Sequence, residues 1–338
     1  MWRLQGNERA VNMLRSALAG GKLSHAYLLV GPPGVGKMRL ALDIARAVNC
    51  EGGQPPCDDC EPCRLIEAGQ HPDIRVIQLD VDEKDETKLR TKIGVDQIDD
   101  ILHQANLPPF SGRGKVFIID EAELLSIGAA NRLLKILEEP PAKVVFILLA
   151  VRDDLLPATV ISRCQCLELK PVPVGKIETW LRNEYNIEES RAALLARLSH
   201  GCPGWVLRAL ADEGMVAGRN DEMERMLALG EADYETRFAY AGELATRFRK
   251  DRRPVWKVLS FWQDWWRDLM LVNTGCPEAV INIDYWDKSA EIAANYSLEQ
   301  INGYLGLLAD CRLALSQNVN PRLALELLLM EIPEVKCA

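Results

Sequence analysis

The sequence predicts an α/β nucleotide-binding domain with a parallel sheet, followed by segments that are helical to the C-terminus. Three observations carry this prediction. A glycine-rich loop sits between an apolar run and a helical pattern. A second apolar run ends in two acidic residues. From Gly175 onward the apolar spacing is that of helices.

The first apolar run, Ala26–Val30, is of strand type, and Met38 to Val48 has helical periodicity with Leu40, Ile44 and Val48 on one side. Between them Gly31-Pro-Pro-Gly34-Val-Gly36-Lys37 fits the G-x-x-x-x-G-K part of a Walker A loop. Strand, turn and helix in that order aim backbone N–H groups and a helix N-terminus at phosphates, and Lys37 is placed to reach the β- and γ-phosphates. The plainer alternative is a Gly/Pro-rich turn with a solvated lysine. The last position of the motif should carry the hydroxyl that ligates Mg²⁺, and here it is Met38. A thioether offers no hard oxygen to Mg²⁺. The chain therefore reads as an ATPase scaffold lacking one part needed for turnover.

Val116–Ile119 is a second strand that runs straight into Asp120-Glu121. This is a Walker B pattern, with Asp120 delivered to the Mg²⁺ shell and Glu121 placed to orient a water. A third run, Val144–Leu149, follows Glu138-Glu-Pro-Pro141, whose prolines close the preceding helix. Strands alternating with helices predict a parallel sheet covered on both faces.

At 338 residues the chain has room for two or three domains, and 48% apolar with 26% charged residues is an ordinary globular composition. No apolar run is long enough to span a bilayer and no apolar signal core opens the chain, so a cytoplasmic protein without membrane contact is expected. A net charge of −9 argues against coating nucleic acid by overall field, while leaving local DNA contact open. Of ten cysteines, Cys50, Cys57, Cys60 and Cys63 form C-x6-C-x2-C-x2-C. Four thiolates at such spacing can close a tetrahedral Zn²⁺ site, and little else in this Gly/Pro-rich stretch would hold it rigid. No open coordination position is implied, so the zinc reads as structural; the alternative is four free thiols. Cys164, Cys166, Cys202, Cys276, Cys311 and Cys337 are scattered and expected to be packed or idle.

Several further segments join these motifs in order. They are Gly6-Asn7, Leu23–Tyr27, His71-Pro-Asp73, Val95–Ile98, Asn131–Lys135, Leu137–Pro141 and Ser162-Arg163-Cys164. Over residues 1 to about 170 the chain thereby resembles the bacterial clamp-loader subunits of the AAA+ class. The resemblance implies an AAA+ P-loop domain (1–170) carrying the cysteine insertion (50–63), a helical lid (171–214) and an all-α oligomerisation collar (215–338). It also implies a role for Arg163 in trans, on ATP held by a neighbouring subunit. The implied partners are the gamma/tau-type ATPase subunits and the delta subunit, with the sliding clamp and primed DNA met within the complex.

Three departures from the hydrolysing members stand out. Met38 is one. Gly204, in Gly201-Cys-Pro-Gly204, stands where they place a sensor arginine, with Arg208 one helical turn further on. Val151, in Ala150-Val-Arg152, stands where they place a polar γ-phosphate sensor. Together they point to a member that completes its neighbour's site and gives up its own turnover. Gly31, Gly34, Gly36, Lys37, Asp120 and Glu121 still leave ATP and Mg²⁺ binding open. Two alternatives stay in view, an active ATPase subunit of the same family and a zinc-containing DNA-binding or scaffold protein with a degenerate nucleotide fold. In the C-terminal half, Val255, Val258, Leu259, Trp262, Trp265, Trp266 and Leu269 recur at helical spacing, which reads as core first and subunit interface second. Asp80 to Lys92 reads as a solvated loop.

Overall fold

A computed structural model of the protein describes residues 1–82, 85–89, 91–317 and 319–333. It divides into two compact units, Met1–Ile177 with Gly201–Trp205, and Glu178–His200 with Val206–Ala338.

The first unit is built on a five-stranded sheet. Its strands are β1 (Ala26–Val30), β2 (Ile74–Ile77), β5 (Lys115–Ile119), β6 (Val144–Ala150) and β7 (Gln165–Glu168). Their spatial order is β2-β5-β6-β1-β7 and every pairing is parallel. β1, β5 and β6 are buried along their whole length, which is why they read as unbroken apolar runs. Alternate residues feed two separate cores, as the period of two requires. Tyr27, Leu29, Ile118 and Ile147 face α1 (Glu8–Ala19), α2 (Lys37–Asn49) and α3 (Glu61–Glu67). Leu28, Phe117, Phe146 and Leu148 face α4 (Val95–Ala105), α5 (Ile127–Glu138) and α6 (Ala158–Ile161). The sheet is thus covered on both faces, as the alternation of strands and helices predicts.

The stretch from Asp80 to Lys92 differs from the loop expected of it. Val81–Asp82 (β3) and Asp85–Leu89 (β4) pair as a short antiparallel hairpin. Glu83, Lys84 and Arg90 lie outside the described residues, as does Cys337. A strongly charged sequence can still pair through its backbone, because neither face of so short a hairpin must be apolar.

Helices follow: α7 (Val174–Tyr185), α8 (Glu189–Leu198), α9 (Pro203–Ala211), α10 (Gly214–Glu231), α11 (Tyr234–Lys250), α12 (Arg252–Asn273), α13 (Trp286–Ala293), α14 (Leu298–Ser316) and α15 (Pro321–Met330). Trp262, Trp265 and Trp266 of α12 are buried in the core shared by α10 to α15, with the Trp266 ring 4.5 Å from that of Tyr304. The aromatic stripe is core. No helix among the described residues is long and apolar enough to cross a membrane. Cys202 and Cys311 are buried, Cys164 and Cys276 half-buried, and Cys166 is exposed.

Candidate nucleotide site and metal centre

The loop between β1 and α2 is held at its base by Gly31, whose N–H donates to the Ala150 carbonyl at 3.2 Å. Gly36 has φ +111°, and a Cβ there would meet Leu4 Cδ1 at 2.5 Å, so the loop needs glycine for both conformation and space. The Lys37 ammonium donates to the carbonyls of Gly31 (2.5 Å) and Pro32 (3.1 Å). Burial pulls its pKa down, against the opposing charges of Glu123 and then Asp120. The two Walker motifs, separated in sequence, therefore share one electrostatic site. Asp120 follows the end of β5 and accepts the Glu121 N–H at 3.0 Å, while Glu121 itself adopts a left-handed φ of 47°.

Met38 packs against the core on the α2 side of the sheet. Its thioether is used as filling, in keeping with the missing metal-binding hydroxyl. The Gly204 N–H donates to the Gly34 carbonyl at 2.7 Å. A Cβ at position 204 would come within 2.8 Å of that oxygen and 3.3 Å of Gly34 Cα. The turn at Gly204, where the resemblance leads one to expect an arginine, thus lies directly on the apex of the phosphate loop. Glu123 escaped the sequence reading. Its Oε1 accepts the Val151 N–H at 3.3 Å, and its buried Oε2 has no partner among the described residues. The only signal for it was an acid within one turn of Glu121. Arg152, the other polar group near the sensor position, pairs with Asp154 (Nε–Oδ1 2.9 Å).

Arg163 stands at the turn after α6. Its Nη1 donates to the Thr159 carbonyl at 2.8 Å and to Ser162 Oγ at 3.3 Å, and its Nη2 to Glu138 Oε1 at 2.5 Å. The side chain is about one-third exposed (33%).

The four cysteines converge. The Sγ atoms of Cys50, Cys57, Cys60 and Cys63 all lie within 4.8 Å of one another. A tetrahedron with metal–sulfur bonds of about 2.3 Å has sulfurs roughly 3.8 Å apart. The donor set therefore fits a single ion, and the cluster can hold a metal. Cys50 caps the end of α2 and Cys63 lies within α3, while Cys57 and Cys60 come from the intervening loop. Backbone N–H groups of Cys57 and Cys60 approach the sulfurs of Cys50 (3.3 Å) and Cys57 (3.4 Å), the polarity that favours thiolate. Donation from the backbone of Cys60 and Asp59 draws the Cys57 thiol down to about 6. The same loop reaches α2 through Asp58, which pairs with the buried Arg46.

His71-Pro-Asp73 proves to be scaffolding. The Asp73 carboxylate accepts three successive N–H groups, from Phe110 (2.7 Å), Ser111 (2.9 Å) and Gly112 (2.7 Å), and so fixes the turn that enters β5.

Parallel sheet, phosphate loop and acidic strand end together define the P-loop nucleotide-binding type of fold. Comparison with known proteins narrows this. The family described as "DNA polymerase III, delta subunit" matches residues 6–173, and "DNA polymerase III, delta subunit, C terminal" matches residues 240–334. The Bacillus subtilis DNA polymerase III subunit delta' is 27% identical over 334 residues, which is 96% of each chain. The delta' subunit of Escherichia coli is 34% identical over 196 residues, 57% of each chain. The tau subunit of Salmonella typhimurium is 37% identical over 230 residues, or 64% of this chain. This chain spans only 34% of the length of that tau subunit. Among solved structures, a gamma subunit-related protein of Thermotoga maritima is a distant likeness (19% identity, TM-score 0.43, 94% of this chain and 98% of that one). The chain belongs to the clamp-loader family of DNA polymerase III subunits.

Proposed function

We propose that this chain serves as the delta-prime member of a clamp loader, helping to place a sliding clamp on primed DNA during replication. In this reading it supplies Arg163 to the ATP of a neighbouring ATPase subunit and hydrolyses ATP poorly or not at all. The Gly204–Gly34 contact carries the second half of the reading. A phosphate loop whose apex carbonyl is already bonded at 2.7 Å, with the half-buried Met38 packed against the core, has lost both a metal ligand and the space for a sensor arginine. The end-to-end likeness to a delta' subunit supports the assignment within the family.

Arg163 supports the first half. A guanidinium beside the transferred phosphoryl group neutralises its developing charge, an effect worth roughly 10³–10⁵ in rate where it has been removed or supplied in other NTPases. The inferred partners are the gamma/tau-type ATPase subunit, the delta subunit, the clamp and primed DNA. The reading also includes a three-part division, with an AAA+ domain to residue 170, a lid to 214 and a collar beyond.

The ion we assign to the cysteine cluster is Zn²⁺. When bound it supplies structural cross-linking only, since all four donors are thiolates and none leaves a position open. Steady-state hydrolysis by the isolated chain with Mg-ATP, primed DNA and clamp tests the proposal. The expected result is no turnover above that of Lys37→Ala. Turnover that disappears in Lys37→Ala would make this a motor subunit.

A further inference from the structure

Glu138 is the last residue of α5, and a carboxylate at a helix C-terminus faces the negative end of the helix dipole. Such a position needs a nearby cation, and Arg163 provides it, with Nη2 2.5 Å from Glu138 Oε1. The other terminal nitrogen of Arg163 is held at the same time by the Thr159 carbonyl at 2.8 Å and Ser162 Oγ at 3.3 Å. Three acceptors from two elements thus grip one side chain. They use three of the five guanidinium N–H groups and leave Nε–H and one N–H on Nη2 without a partner among the described residues.

We infer that Glu138 is a positioning residue that fixes the Arg163 guanidinium for a phosphate held by the neighbouring subunit. This rests on the trans role proposed above for Arg163. An arginine on a flexible stem otherwise samples many rotamers, and its fork delivers two parallel bonds to a phosphate only in one orientation. Thr159 and Ser162 belong to the same short segment as Arg163, so they can orient the guanidinium only relative to that segment. Glu138, which lies on α5, ties it to a helix packed on the sheet. The exposed pair is weak by itself, as ion pairs at such exposure are. Its contribution is to orientation, and misplacing a catalytic group by about 1 Å can cost about a hundredfold in rate.

The experiment is ATP hydrolysis by the reconstituted loader with clamp and primed DNA, comparing Glu138→Ala, Glu138→Gln and Arg163→Ala. Glu138→Ala should lower, about tenfold or more and with KM unchanged, the part of kcat that Arg163→Ala removes. Glu138→Gln keeps an acceptor for Nη2 and should recover most of that loss. Both variants should assemble into the loader as the parent does. Hydrolysis by Glu138→Ala at or above the parent rate, with Arg163→Ala slow, overturns the positioning role alone. A rise in KM at constant kcat overturns it too. If Arg163→Ala is itself at the parent rate, the trans role fails and the positioning role falls with it.

Discussion

Asp43 and Arg46, one turn apart on α2, are both completely buried and paired with each other. Arg46 also donates to Asp58 of the cysteine loop and lies 3.8 Å from Glu67 of α3. Asp43 accepts the N–H groups of Arg3 (2.8 Å) and Leu4 (3.2 Å), and Leu4 in turn lies against Gly36. One ion-pair network therefore joins the helix of the phosphate loop, the N-terminal segment and the metal module.

Removing Arg46 takes from the buried Asp43 its buried cation and leaves Arg39, 3.1 Å away at the edge of the network, as its remaining ion-pair partner. Arg46→Ala should destabilise the protein by about 2–3 kcal/mol, less than the loss expected for a wholly unpaired buried charge. Arg46→Lys should recover only part, because an ammonium cannot bridge Asp43 and Asp58 with a planar fork. Urea unfolding measures both, and a loss below about 1 kcal/mol for the alanine variant would contradict the network's role, being the value of an ordinary surface pair.

The cysteine cluster should carry zinc in protein purified without chelator. Removing the ion, or replacing Cys50 and Cys63 with serine, should lower the unfolding midpoint and make Cys57 and Cys60 reactive toward thiol reagents. Elemental analysis that finds no zinc bound refutes the assignment of the ion.

At Gly204 the prediction concerns space. A Cβ there would sit 2.8 Å from the Gly34 carbonyl oxygen. Gly204→Ala should cost about 1–3 kcal/mol by overpacking, or part the helix from the loop at similar cost. Met38→Thr alone should leave the isolated chain without hydrolysis, since the Gly204–Gly34 contact remains. Denaturant unfolding and a steady-state assay check the two variants.

His200 and Asp264 supply a pH-dependent contribution. The hydrogen bond from His200 Nε2 to Asp264 (2.9 Å) raises the imidazole pKa, outweighing the burial that would lower it. A folded pKa above the unfolded value of about 6.5 means that the contribution is present in full below that pH and is lost as pH rises through the folded pKa. Asp264→Asn should move the His200 titration, followed by NMR, to lower pH and flatten this part of the stability profile. An unmoved titration would mean that Asp264 is not the cause.

How much was legible in the sequence depended on which side chains were forced into the core. β1, β5 and β6 are buried on both faces and could be read as apolar runs, whereas the edge strands β2 and β7 were missed. β7 is Gln165-Cys-Leu-Glu168 with only Leu167 buried, a pattern that carries no strand signal. The phosphate loop, the acidic strand end, the cysteine spacing and Ser162-Arg163 were visible because each needs particular residues at fixed local spacing. Gly204 was visible as a missing arginine, but its bond to Gly34 was not, since contacts distant in sequence leave no local mark. Arg46 was passed over for a related reason. An arginine within an amphipathic helix reads as solvated surface, and only the folding of Asp58 and Glu67 around it makes it core.

The most direct test of the central claim is ATP hydrolysis by the assembled loader, with clamp and primed DNA, carrying either Lys37→Ala or Arg163→Ala in this subunit. Lys37→Ala is expected to turn over at the parent rate, while Arg163→Ala loses the fraction of hydrolysis contributed by the neighbouring site. Slowing by Lys37→Ala with no effect of Arg163→Ala would contradict it, and would place catalysis in this chain's own phosphate loop.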